Sequence, residues 1–155
     1  MKTIELVPEY IRSLIPYEPG KPIEEVEREY GIANSVKLAS NENPLGPSPL
    51  ALAAIRAKLE DLHLYPDGDC FYLKNGLAKK LGVTPERLIF GNGSNEIIEL
   101  AARTFLRPGD EALMAEQAFV VYHLIVQAVG AQSKQVPLRD YTHDLSAIAD
   151  AVSGQ

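Results

Sequence analysis

Apolar residues recur at helical spacing along much of the chain, and short apolar runs separate those stretches. Leu52, Ile55, Leu59 and Leu62 predict a helix over 48–62, opened by Ser48-Pro49. Leu73, Leu77 and Leu81 predict a second helix that stops at Gly82. A short strand at 87–90 follows, then an apolar helix over 94–105, a turn at RPGD and a strand over 111–115. A nearly all-apolar helix over 119–129 and a strand over 131–138 come next. Asp144 then caps a last helix carrying Leu145, Ile148, Ala149 and Val152. Strands alternating with helices in this way read as a layered α/β sheet.

The first 47 residues have a different texture. Prolines fall at Pro8, Pro16, Pro19 and Pro22, and ASNENPLGPSP (39–49) is a polar loop rich in proline and glycine. Between them, PIEEVEREYG predicts a short helix with Pro22 at its start and Gly31 as its stop, and 36–39 is a short strand candidate. Residues 1–47 therefore read as an arm and loop, and 48–155 as the first part of a domain. Helices apolar on nearly every side need cover on more than one face, which three short strands do not supply. The pattern is that of the opening of a larger domain.

Composition narrows the function more than the fold. An apolar fraction of 46% and a charged fraction of 23% are those of an ordinary globular protein. The net charge of −6, with lysines and arginines scattered, argues against a nucleic-acid or anionic-membrane surface. The chain shows no signal-peptide pattern and no apolar run of membrane-spanning length, so a cytoplasmic location is expected. The single cysteine, Cys70, forms no internal disulfide, in keeping with a reducing compartment. His63, His123 and His143 stand in no recognisable catalytic context.

The stretch with the most chemistry is FGNGSNEIIEL (90–100), where two glycines bracket an asparagine and Ser-Asn-Glu opens an apolar helix. The first amides of a helix lack partners and carry about half a positive charge, which suits a phosphate. Ser94 is a good N-cap, and Glu96 must point aside if an anion is to approach. On the glycines alone, a plain strand-to-helix turn explains the pattern as well. Dinucleotide and Walker fingerprints both fail, because Glu96 takes the place of a third glycine and no Gly-Lys-Ser/Thr follows.

Five stretches in order change those odds: IPYEPGKP, KLASNENPLGPSP, YPDGDCFYLKNGLAKKLGV, PERLIFGNGSNEIIELAARTFLRPGDEAL and AFVVY. Together they resemble the fold-type I pyridoxal-phosphate aminotransferases, and the histidinol-phosphate aminotransferase family above all. The resemblance implies a three-layer α/β large domain with a mostly parallel sheet, here incomplete and preceded by an N-terminal arm. It implies pyridoxal 5'-phosphate as cofactor, with Ser94 and Asn95 at its phosphate and Phe119 stacked on its ring. It implies that Tyr65 crosses a homodimer interface to the partner's cofactor phosphate, and that Tyr17 lies near the substrate phosphate of the other subunit. Asn41 and Asn43 would line the substrate entrance, unless they merely make Asx turns.

The activity implied is amino transfer between L-histidinol phosphate and 2-oxoglutarate, giving glutamate. An aromatic aminotransferase or a threonine-phosphate decarboxylase of the same fold is the alternative, as is a non-catalytic dimerisation or phosphate-binding module. The chain departs from the family in having Gln117-Ala118 where many relatives have Pro-Thr. It also contains no lysine in the family's cofactor-holding Ser-Lys context, because Ser133-Lys134 lacks the flanking residues and reads as a solvated strand pair. No catalytic residue is therefore assigned, and these 155 residues alone are expected to be inactive.

Overall fold

The computed structural model describes residues 3–153, which form two compact units. One unites the residues up to Tyr17 with those from Ile89 onward; the other runs from Glu18 to Leu88. Among the described residues no helix is long and apolar enough to cross a membrane.

In the first unit, a 3-10 turn (Thr3–Leu6) and the short helix α1 (Glu9–Arg12) precede an extended stretch. The unit resumes with α5 (Ser94–Phe105), β1 (Glu111–Ala115), α6 (Val120–Ala128) and β2 (Gln132–Val136). The second unit supplies α2 (Ile23–Tyr30), α3 (Pro49–Arg56) and α4 (Phe71–Leu81). The chain ends with a hairpin of β3 (Leu138–Arg139) and β4 (Thr142–His143), and with α7 (Leu145–Asp150).

β1 and β2 pair in parallel, from Glu111 opposite Gln132 to Ala115 opposite Val136. Pro137 has no N–H to continue the ladder, so the strand expected over 131–138 stops at Val136 and reopens as β3. The β3–β4 turn places Asp140 and Tyr141 at φ +51° and +60°, the twist a two-residue hairpin demands. The core is made of small side chains: Ala102, Ala115, Val126, Ala131 and Val136 in the first unit and Ala78 in the second. Val126 and Val136 each contribute roughly 1.5–3 kcal/mol by burial, where α6 packs on β2.

Three expectations need correction. The segments 36–39 and 87–90 are not strands, because neither lies beside another strand among the described residues. Extended backbone without a ladder partner is not a strand: Leu88 has φ −112° and ψ 130°, but its amide turns back to Pro85 O and it joins no ladder among the described residues. The helix expected over 48–62 ends at Arg56; Lys58 leaves helical geometry at φ −109° and a 3-10 turn (Leu59–Asp61) follows. The remaining helices start and stop close to their expected punctuation. Gly31 and Gly82 close α2 and α4 in the left-handed conformation, at φ +64° and +67°.

Candidate functional site

Parallel pairing of β1 and β2 forces α6, which joins them, to run back against the strands. α5 packs on α6 and enters β1 through a tight turn, so its start lies toward the carboxyl end of the strands too. That turn is held by Arg107 N donating to Asp110 Oδ2 at 2.7 Å and Asp110 N to Arg107 O at 3.0 Å. Helix starts therefore gather where α/β sheets bind ligands.

At the start of α5 the structure moves one residue relative to expectation. Gly93, at φ +82°, is the N-cap, and Ser94 is the first helical residue with no side-chain cap bond. The N-cap conformation is open to glycine alone without strain, so Ser94 cannot occupy that position. Glu96 does point aside: its Oε2 accepts from Asn92 N at 2.5 Å and from Asn92 Nδ2 at 3.2 Å. This reach back from the third helical position has the logic of a capping box, displaced by one residue.

The carboxylate thus pins the loop rather than filling the helix start. Ser94 and Asn95 are exposed, and neither amide donates to another group among the described residues. Gly91 leaves room for this pin: a Cβ there would meet the side-chain ends Ile97 Cδ1 and Glu96 Oε2, each at 2.9 Å.

Phe119 occupies the N-cap of α6 and is 50% exposed. Its ring stands 5.7 Å from that of Tyr17 at 79°, an edge contact within one chain. Phe119 also lines a cavity of about 420 Å³ with Leu113, Met114, Tyr122 and His143 among its walls.

The family model of class I and II aminotransferases matches residues 33–155. The chain belongs to that aminotransferase family. It is 50% identical to histidinol-phosphate aminotransferase 2 of Nitrosospira multiformis over 155 residues, 99% of this chain and 40% of that one. It is 54% identical to the histidinol-phosphate aminotransferase of an Anaeromyxobacter species over 149 residues, 96% of this chain and 41% of the relative. The chain therefore spans about 40% of the length of the curated relatives it matches. Among solved structures, the histidinol-phosphate aminotransferase of Sinorhizobium meliloti, in complex with pyridoxal-5'-phosphate, superposes with a TM-score of 0.81 at 27% identity. That match covers 92% of this chain and 38% of the other. The expected fold, a partial fold-type I α/β domain, is the fold observed.

Against this aminotransferase frame, the expected site residues divide between the units. Ser94, Asn95, Phe119 and Tyr17 belong to the first unit, and Tyr65, Asn41 and Asn43 to the second. Tyr65 is fully exposed, among the likewise exposed Leu62, Leu64, Phe71 and Tyr72. Asn43 makes the Asx turn, accepting from Leu45 N at 3.1 Å and donating to Gly46 O at 3.0 Å. Asn41 lies exposed in the same loop.

Lys134 is a strand residue with its side chain 41% exposed, as expected, but it is also engaged. Its Nζ donates to Ala151 O at 2.8 Å and lies 3.7 Å from Glu111 Oε2, so it ties β2 to the end of α7. Sequence reasoning missed the role of Asp67 in YPDGD, whose carboxylate accepts from Phe71 N at 2.8 Å and Asp69 N at 3.0 Å. Those bonds, that from Phe71 foremost, hold its carboxyl below the ordinary value. An acid three residues ahead of the N-cap, which is Cys70 at φ +50°, is a capping signal that nearest-residue rules do not register.

Proposed function

We propose that this chain provides the phosphate-holding and ring-stacking part of a pyridoxal-phosphate aminotransferase that exchanges the amino group of L-histidinol phosphate with 2-oxoglutarate. The observation that carries the reading is the pair of unengaged amides at Ser94 and Asn95, toward the same carboxyl end of the strands as the half-exposed Phe119. The residues fit the cofactor: a helix start receives a dianionic phosphate, and a flat apolar ring lies against the pyridine without competing for its proton. Bound pyridoxal phosphate supplies the electron sink that makes the substrate's Cα–H acidic. The part of this chain is to hold and orient. The amides of Ser94 and Asn95 fix the phosphate, Phe119 fixes the ring plane, Tyr17 lies near the substrate phosphate of the other subunit, and Asn41 and Asn43 line the substrate entrance. Residues 1–47 serve as arm and substrate-side loop, and 48–155 as the first part of the cofactor-binding domain.

The working form is a cytoplasmic homodimer in which Tyr65 reaches the partner's cofactor phosphate. Its complete exposure, among apolar neighbours that are also largely uncovered, supports a role outside its own unit. The deciding experiment assays a family-length protein carrying these residues on histidinol phosphate and on phenylalanine. A preference for histidinol phosphate is expected, and preference for phenylalanine would move the assignment to an aromatic aminotransferase. Sedimentation of that protein as a monomer at micromolar concentration would remove the composite-site reading. The 155-residue chain alone should give no turnover. Borohydride reduction in the presence of the cofactor should label several lysines weakly, since Lys134 is engaged by Ala151 and Glu111. Stoichiometric labelling of Lys134 with turnover would refute this.

A further inference from the structure

The arm meets α6 at both ends. Near the carboxyl end of the helix, Gln127 Nε2 donates to Tyr10 O and to Ser13 Oγ, each at 3.1 Å. The Tyr10 ring lies so close to Gly130 that a Cβ there would stand 3.3 Å from its Cε1, and Gly130 at φ +80° accepts no other residue without strain. At the amino end, the ring of Tyr17 stands perpendicular to Phe119. The dimensions agree. Phe119 to Gln127 spans about 12 Å of helical rise. Ser13 to Tyr17 covers about 13 Å when extended, and Pro16 keeps Ile15 extended. The arm thus runs antiparallel along the helix, fastened at the far end by a hydrogen-bonded side chain and at the near end by an aromatic pair.

We infer that the arm is a strap on α6 of its own chain, and that Tyr17 is a positioning residue which sets the ring plane of Phe119. This rests on the reading of Phe119 as the cofactor-stacking ring. A residue at an N-cap has helix on one side only, so its ring orientation depends on what touches it. A perpendicular neighbour leaves at least one face of Phe119 clear while restricting rotation of the ring. An edge contact of this kind changes binding by about twofold to tenfold when removed. The geometry gives Tyr17 a role in the same chain that needs no second subunit, and it gives Gln127, remote from the ring, a share in that role.

The test is titration of pyridoxal phosphate into the family-length apoprotein, followed by absorbance, for five variants. Tyr17→Ala should weaken cofactor binding about threefold to tenfold. Tyr17→Phe, which keeps the edge contact, should restore affinity to within about twofold of the parent. Gln127→Ala should weaken binding in the same direction by a smaller factor, and it keeps the test open if Tyr17→Ala does not fold. Phe119→Ala should weaken binding most, and the double variant Tyr17→Ala/Phe119→Ala should be no weaker than Phe119→Ala alone. Unchanged affinity in Phe119→Ala would overturn the stacking assignment itself. Loss in Phe119→Ala combined with wild-type affinity in Tyr17→Ala or Gln127→Ala would overturn the strap alone. Equal loss in Tyr17→Phe and Tyr17→Ala, or additive losses in the double variant, would likewise overturn it, by assigning Tyr17 a direct contact through its hydroxyl.

Discussion

Two helices of the same unit treat their first amides in opposite ways. At α7, Asp144 is the N-cap and its Oδ1 accepts from Ser146 N and Ala147 N, both at 3.1 Å. At α5 the nearby acid is Glu96, which turns backward to Asn92 and leaves the amides of Ser94 and Asn95 exposed. Both sequences offer a carboxylate within a turn of the helix start. What differs is its position: an acid at the N-cap reaches forward onto the amides, whereas one at the third helical residue reaches back past them. A carboxylate on the amides closes a helix with the protein's own charge. A carboxylate turned away leaves about half a positive charge for a ligand. The α4 start resembles α7, because Asp67 takes the Phe71 amide from three residues ahead of the N-cap. The starts of α4 and α7 are held by a carboxylate of the chain. That of α5, like those of α2, α3 and α6, has no side-chain cap, and it is the one we propose for the cofactor's phosphate.

The contrast is broken most forcefully at Gly91. The Gly91→Val change puts a branched side chain where even a Cβ comes within 2.9 Å of Ile97 Cδ1 and 3.3 Å of its Cγ1. The atoms it meets belong to the Ile97 and Glu96 side chains, so either these swing away or the loop moves; overpacking of this kind costs up to about 1–3 kcal/mol. Urea denaturation should show the loss, and phosphate binding should fall with it because the Asn92–Glu96 pin is displaced. An unchanged midpoint would mean that the loop yields freely and that Glu96 does not pin it.

At α7 the same logic predicts a smaller loss with no ligand consequence. Asp144→Ala leaves the exposed Ser146 amide and the half-buried Ala147 amide without their carboxylate, at a cost of about 0.5–2 kcal/mol. Binding of phosphate or pyridoxal phosphate should be unaltered. A variant that gained an anion site at α7 would show that any emptied helix start binds anions here, and the distinction drawn for α5 would lose its force.

These helix starts also mark where the sequence could be read and where it could not. The bounds of β1 and α5 were legible to the residue, though not the cap of α5, because an apolar run between RPGD and Glu116, and an apolar helix after GNGS, leave little freedom. Asp144 was legible as a cap because the chemistry is local. The Ser94 N-cap expectation missed by one residue, since the choice between Gly93 and Ser94 depends on a backbone at φ +82° that the sequence permits without announcing. Strands at 36–39 and 87–90 failed for a different reason: a strand is defined by its neighbour, and nothing local in VKLA or RLIF supplies one. The site residues were legible only through family likeness. Phe119 and Tyr17 look like ordinary aromatics until a contact across a hundred residues of sequence brings them together.

Acid sharpens the comparison at α4. Asp67 has its carboxyl held below the ordinary value, chiefly by the Phe71 amide. A depressed carboxylate adds stability above its unfolded pKa, and that contribution is lost as pH falls through the folded value. Unfolding followed between about pH 5 and 2 should therefore show a decline that Asp67→Asn flattens. Glu27, held low by the Ser35 amide and then its hydroxyl, acts in the same direction, so Asp67→Asn should flatten part of the decline and not all of it. A profile identical in parent and variant would mean that the carboxylate is no better held in the native state than in the unfolded chain.

The gentlest change separates the two kinds of helix start most cleanly. Ser94 is the first residue of α5, and the first helical position tolerates proline because its N–H has no helical partner. Gly93 before it has ψ 177°, the extended value that a following proline requires. Ser94→Pro should therefore leave stability within about 0.5 kcal/mol of the parent, since no intrahelical bond and no cap bond is lost. It does delete one of the two amides assigned to the anion. Phosphate binding, followed by the ³¹P shift during titration, should weaken about tenfold, as expected for loss of a hydrogen bond to a charged acceptor. The paired control is Ser146→Ala in α7, whose amide stays on Asp144 and whose binding should not change. If Ser94→Pro binds phosphate as the parent does, the α5 amides are not the anion's ligands. The open start would then be a consequence of where Glu96 falls in the sequence and nothing more.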